Sequence, residues 1–204
     1  MSDWIVTVFL GDSLTTGYQQ GPGYHPPRYY PFTNMLESAL RRQLTAMGSE
    51  KDLVVVNQGM DGDSTSGMLN RFTGSVESEK PDLVLIWGGI NDLTSMRPKE
   101  DVFSNLVDLV AHTKAIDAVP ILLNVAPVAG VHFNENIVEL NKLTEKYCNE
   151  HGVEYVDVFR LFVDDKGKLA DEFSNDGVHL SVKAYQTLIP LLFNLIMGSV
   201  SDLI

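Results

Sequence analysis

The sequence has a single cysteine, Cys148, in 204 residues. No disulfide can form within the chain, so stability has to come from a packed core, and the usage fits a reducing compartment. Basic residues are also scarce. Lys and Arg number 15 against 27 Asp and Glu, a formal net charge of −12. Phosphate backbones and anionic bilayer surfaces repel such a chain, so neither nucleic acid nor membrane is an expected partner. Long apolar runs are missing. The most apolar late stretch, 188–200, is interrupted by Pro190 and Asn194 and reads as a buried helix, too short to span a bilayer. The start, Met1-Ser2-Asp3-Trp4, has no basic segment ahead of an apolar run, so it does not read as a signal peptide, and the expected location is the cytoplasm.

Several chemistries lack their motifs. There is no G-x-S-x-G elbow, no G-x-G-x-x-G, no P-loop lysine after Gly11 to Gly17, and no H-E-x-x-H. His25, His112, His132 and His151 are scattered, so no metal site and no cofactor is expected.

What is present is ordinary for a packed globular protein: 44% hydrophobic and 21% charged residues. Short, nearly continuous apolar runs at 4–10, 53–56, 83–87, 121–125 and 153–157 suit strands covered on both faces. Between them lie helical patterns at 32–47, 100–116 and 134–148. A shorter helix fits after Ser64, and a last one, capped by Ser181, runs to about Met197. Five strands separated by helices predict a parallel sheet with helices on both faces. No linker or repeat interrupts the pattern, so residues 1–204 are expected to form one domain.

In such a sheet, ligands bind where the carboxyl ends of the strands open into loops. Those loops carry the polar residues of interest. Ser13 follows the first strand and a glycine, and becomes a nucleophile only beside a base that takes its proton. His179 is the candidate base. Asp176, three residues earlier in a glycine-containing loop, is placed to fix the imidazole tautomer and stabilise the imidazolium. Acyl transfer also needs donors for a developing oxyanion. The backbone N–H groups of Ser13 and Gly62 and the side-chain amide of Asn91 offer three, from three strand ends. Asp12 and Asp92 flank these residues and are expected to hold their loops by hydrogen bonds to backbone N–H groups.

Gly11-Asp12-Ser13-Leu14, Gly62-Asp63, Gly89-Ile90-Asn91-Asp92 and Asp176-Gly177-Val178-His179 together resemble the four sequence blocks of the SGNH, or GDSL, hydrolases, over about residues 4–197. The layout is most similar to the bacterial thioesterase and lysophospholipase branch. The resemblance implies a three-layer α/β/α sandwich, flavodoxin-like, around a five-stranded parallel sheet. It also implies a serine esterase acting on carboxylic esters or thioesters of small acyl groups through an acyl-enzyme, without a cofactor. In that reading Ser13 is nucleophile, His179 base, Asp176 its partner, and Ser13, Gly62 and Asn91 form the oxyanion hole.

One departure is a longer first loop. Residues 18–32 hold Tyr18, Tyr24, Tyr29 and Tyr30 among four prolines, directly after the nucleophile. Tyr24, Tyr29 and Tyr30 are candidate walls of the substrate pocket, against the alternative of a plain surface loop or subunit contact. Three other functions stay open. They are carbohydrate O-deacetylation on the same fold, a non-catalytic binding protein, and an aspartate-nucleophile phosphotransferase using the D-x-D-x-T string Asp61, Asp63 and Thr65.

Overall fold

A computed structural model describes residues 4–21 and 25–201. Its main sheet is built from β1 (Trp4–Gly11), β4 (Asp52–Gly59), β5 (Leu83–Trp87), β6 (Val119–Leu123) and β7 (Glu154–Val156), all parallel, in the order β4-β1-β5-β6-β7. Two residues of β2 (Tyr18–Gln19) and two of β3 (Arg28–Tyr29) pair separately as an antiparallel hairpin. The longer first loop thus contains a small ribbon.

Alternate residues of the central strands feed two cores. Ile5 and Phe9 of β1, with Leu85 and Trp87 of β5, pack against α2 (Phe32–Ala46) and α9 (Val182–Ser199). Val8 and Leu10, with Val84 and Ile86, pack against α3 (Thr65–Asn70), α6 (Lys99–Ala115) and α7 (Val131–His151). Both faces of the sheet are therefore covered, and the layers are α/β/α as expected. The continuous apolar runs of β1 and β5 follow from this double burial. The remaining helices, α1 (Ser13–Thr16), α4 (Phe72–Ser75), α5 (Ile90–Thr94) and α8 (Val158–Phe162), are short pieces at strand ends or loops.

Helix faces obey the 3.6-residue period. Phe32, Leu36, Leu40 and Leu44 of α2 are all buried, at spacing four. In α9 the buried set is Ala184, Tyr185, Leu188, Leu192 and Ile196, while Leu191 is exposed. That helix is amphipathic rather than wholly buried. Pro190 lies inside it on the exposed face, four residues after exposed Gln186, so the carbonyl it leaves unpaired faces water. Helix α7 begins three residues earlier than the pattern predicts and ends where Gly152 adopts φ +61°. Among the described residues no helix is long and apolar enough to cross a membrane.

The strand order puts the reversal of winding between β1 and β5. The crevice for a ligand opens at their carboxyl ends.

Candidate active site

Strand β1 turns into α1 with no connecting loop. A Cβ on Gly11 would lie 2.0 Å from Thr15 Oγ1 and 2.5 Å from the Trp87 carbonyl oxygen, so only glycine admits this turn. Asp12 caps α1, its Oδ1 accepting the Leu14 N–H at 2.9 Å. Ser13 is the first residue of that helix and is 7% exposed. Tyr185 of α9 donates its hydroxyl to the Leu14 carbonyl at 2.7 Å, which locks the turn from below.

Ser13 Oγ is 3.2 Å from His179 Nε2, across 166 residues of sequence. His179 Nδ1 lies 2.7 Å from Asp176 Oδ2. A carboxylate only accepts, so Nδ1 carries the proton and the Nε2 lone pair faces the serine hydroxyl. The other Asp176 oxygen accepts the N–H groups of Val178 at 2.9 Å and His179 at 2.8 Å. Partial burial pushes this carboxyl up, but the bonds from the His179 ring and the two backbone N–H groups prevail and hold it below its ordinary value. The turn itself depends on Gly177, at φ +84°, and on Ser174 Oγ, which donates to the His179 carbonyl at 2.7 Å and accepts the Gly177 N–H at 2.9 Å.

Two further strand ends carry the other candidate donors. After β4, Met60 N–H donates to the Gly11 carbonyl at 3.0 Å, and the turn carrying Gly62 follows. After β5, Asn91 stands in the first turn of α5 and donates Nδ2 to the Asp63 carbonyl at 2.9 Å. The second N–H of that amide remains. Asp92, fully buried, accepts the Thr65 N–H at 2.8 Å and the Thr65 hydroxyl at 3.0 Å. Asp12 and Asp92 hold their loops as the sequence suggests. Asp12 has a further property: burial drives its carboxyl up to about 7, with Asp63, Asp92 and Asp61 adding repulsion against the Leu14 hydrogen bond. Its Oδ2 is buried and has no hydrogen-bond partner among the described residues.

The Asp61, Asp63 and Thr65 string does not converge. Asp61 accepts the hydroxyls of Tyr29 and Thr16, Asp63 pairs with Arg71, and Thr65 pairs with Asp92. Among the described residues no group of three or more His, Cys, Asp or Glu is arranged to hold a metal ion.

Of the tyrosines named from sequence, Tyr24 lies outside the described residues. Tyr29 and Tyr30 border a cavity of about 380 Å³ together with Gln19, Arg28 and Val182, and neither Ser13 nor His179 lines it. Tyr30 also stacks on buried Tyr185, with ring centroids 5.8 Å apart. Tyr18 is not among the pocket walls expected from sequence, yet its ring lies tilted against that of His179. Arg71 was missed altogether. Its Nε pairs with Asp63 at 2.8 Å, and Nη2 donates to the carbonyls of Gly11 at 3.1 Å and Gln58 at 2.8 Å, joining the ends of β1 and β4. An arginine at the end of a short helix reads as a solvated cation, so the sequence carries no signal for this role.

Known proteins resemble this chain in sequence and in fold. The model of the GDSL-like Lipase/Acylhydrolase family matches residues 9–187. An arylesterase of Vibrio mimicus is 27% identical over 173 residues, covering 83% of this chain and 77% of that protein. The crystal structure of a lipase/acylhydrolase from Enterococcus faecalis superposes with a TM-score of 0.74 at 28% identity, covering 95% of this chain and 96% of the other. A catalytic mutant of an acetylxylan esterase from Geobacillus stearothermophilus superposes with a TM-score of 0.72, covering 93% of each chain, at 20% identity. That last likeness speaks for the fold alone.

Proposed function

The chain belongs to the GDSL-like lipase/acylhydrolase family, a family of hydrolases, and within it we propose a serine esterase that cleaves carboxylic esters or thioesters of small acyl groups. The observation that carries this reading is the unbroken relay from Asp176 through His179 to Ser13, at 2.7 and 3.2 Å.

Ser13 Oγ attacks the acyl carbon while His179 Nε2 takes its proton. Asp176 stays ionised, because its carboxyl is held below the ordinary value, and so stabilises the imidazolium that forms. The oxyanion faces the N–H groups of Ser13 and Gly62 and the remaining N–H of Asn91 Nδ2. Collapse of the tetrahedral adduct expels the alcohol or thiol, which collects the proton from Nε2. Water then repeats the sequence on the acyl-enzyme. Nucleophile, base and donors are all protein groups, so this chemistry calls for no cofactor. Tyr29 and Tyr30 are assigned to the wall that receives the part of the substrate beyond the ester. The arylesterase relative favours an ester substrate.

The test is labelling by a fluorophosphonate, with turnover of p-nitrophenyl esters of rising chain length beside acetylated xylo-oligosaccharides. Labelling and turnover are expected to vanish in Ser13→Ala and to survive EDTA. Turnover confined to the acetylated sugars would identify a carbohydrate O-deacetylase, and labelling without any turnover a binding protein. Loss with EDTA, restored by Mg²⁺, would overturn the serine mechanism.

A further inference from the structure

The turn that carries Gly62 is exposed. The Asp63 N–H donates to the Met60 carbonyl at 3.0 Å, closing a four-residue turn over Asp61 and Gly62. Gly62 has φ +75°, as the third position of a type II turn requires. Type I and type II turns differ chiefly in the orientation of the amide between the two central residues, here the one that ends in the Gly62 N–H. A Cβ built on Gly62 would meet nothing within 4 Å among the described residues outside its chain neighbours, so packing at that position does not help to fix the turn. Its direction depends on what anchors the residues on either side.

On the Asp63 side the anchors are Arg71 and Asn91. On the Asp61 side they are the Met60 N–H, held by the Gly11 carbonyl at 3.0 Å, and the Asp61 carboxylate. The carboxylate accepts the Tyr29 hydroxyl at 2.6 Å on one oxygen and the Thr16 hydroxyl at 2.7 Å on the other. Thr16 stands in α1, three residues after Ser13, and its Oγ1 is also 2.9 Å from the Ser13 carbonyl. Tyr29 stands in β3 of the hairpin. The carboxylate therefore bridges the nucleophile helix, the hairpin and the Gly62 turn. Hydroxyl donors to an ionised acceptor make short, strong bonds, which suits a tie that must hold in water. The same bond raises the Tyr29 phenol above its ordinary value.

We infer that Asp61 is a positioning residue: it sets the direction of the Gly62 N–H, and through Tyr29 it makes that setting depend on the hairpin being seated over the site. The inference rests on the reading of Gly62 as an oxyanion donor. Asp61 touches no reacting atom. Its effect has to appear where charge develops in the transition state, not in substrate binding.

The experiment compares Asp61→Ala, Asp61→Asn, Tyr29→Phe and the Asp61→Ala/Tyr29→Phe double variant on p-nitrophenyl acetate. It measures kcat, KM and melting temperature, and the affinity for a trifluoromethyl ketone that forms a tetrahedral adduct on the serine. Losing a whole oxyanion donor costs about 10²–10³ in kcat, so a misdirected one is expected to cost about tenfold or more in Asp61→Ala. KM and melting temperature are expected to stay near the parent's, and ketone affinity to fall by a factor similar to that in kcat. Asp61→Asn keeps an acceptor oxygen and is expected to recover much of the rate. Tyr29→Phe is expected to lose less, and nothing further once Asp61 is gone. Full kcat in Asp61→Ala, a change confined to KM, or losses that add in the double variant would each overturn the inference. Ser13→Ala, run in parallel, separates the two levels. An inactive Ser13→Ala beside an unimpaired Asp61→Ala removes Asp61 alone, whereas an active Ser13→Ala removes the esterase reading beneath it.

Discussion

The Tyr18 ring lies 4.3 Å, centre to centre, from the His179 imidazole, tilted at 40°. Tyr18 in turn meets Tyr29 edge to face at 6.0 Å and donates its hydroxyl to Gln20 Oε1 at 2.9 Å. The hairpin thus presses an aromatic face on the one side chain that must keep its orientation between Ser13 and Asp176. It is the ring, not the hydroxyl, that does so. Tyr18→Phe is expected to retain the parent kcat within about threefold, and Tyr18→Ala to lose about tenfold or more, since small displacements of a positioned group are costly. Steady-state kinetics on p-nitrophenyl acetate decide it. Equal losses in the two variants would assign the effect to the hydroxyl instead.

The proposed roles predict an order of damage. Removing a serine nucleophile can cost on the order of 10⁶ in kcat, and removing an oxyanion side-chain donor about 10²–10³. Ser13→Ala is expected to fall to background. Asn91→Ala is expected to stay measurable with a nearly unchanged KM. Asp176→Asn falls between them, because the imidazole stays in place but loses the partner that fixes its tautomer. Ser13→Ala and His179→Ala are expected not to add when combined. A fully active, folded Asn91→Ala would remove Asn91 from the oxyanion hole.

Asp12 predicts an unusual pH dependence of stability. Its carboxyl rises from 3.8 to about 7 on folding, chiefly through burial. Between those values the folded protein holds a proton that the unfolded chain has released, so stability falls as pH climbs through the interval. Below about pH 4 both states are protonated and the penalty is absent. Above about pH 7 it is complete, roughly 4 kcal/mol for a gap of this size. Asp12→Asn keeps the acceptor for the Leu14 N–H and removes the charge. Urea titrations are expected to show it more stable than the parent at pH 8, with the difference fading toward pH 4. A pH-independent difference would mean that something other than ionisation sets it.

Cys148 is predicted to be chemically silent. It is fully buried on the α7 face that meets the sheet, and burial lifts its thiol to about 11. An aromatic disulfide reagent is expected to leave the native protein unlabelled, to react with one equivalent in denaturant, and to leave esterase activity unchanged. Fast labelling of native protein would place the thiol outside the core.

Much of this molecule is legible in its sequence. Strands covered on both faces must be apolar throughout, so β1 and β5 stand out as runs. The helix faces of α2 and α7 repeat as periodicity demands. The four polar blocks after strand ends were legible because glycines punctuate them at Gly11, Gly62, Gly89 and Gly177. What escaped were residues whose meaning comes only from a distant partner. Arg71 looks like a surface cation until Asp63 and two strand-end carbonyls surround it. Asn134 and Asn141 look like the polar side of a helix. They are buried, each pairing its amide with the N–H and carbonyl of one residue, Val128 and Val125 respectively, and so stretching out the chain beyond β6. Asp61 and Tyr29 stand 32 residues apart and carry no motif that joins them. Side-chain pairing across loops has no period, and so leaves no trace in sequence.

The separation of Ser13 and His179 by 166 residues has a consequence for biosynthesis. A ribosome adding about 5–20 residues per second needs roughly ten to thirty seconds to pass from one to the other. Throughout that interval the emerging polypeptide carries the serine without its imidazole. Leu14 also waits for Tyr185, so the turn that presents the serine is left open below until α9 arrives. On the proposed roles, nascent and prematurely terminated chains are expected to be hydrolytically inert, the enzyme switching on only as α9 docks.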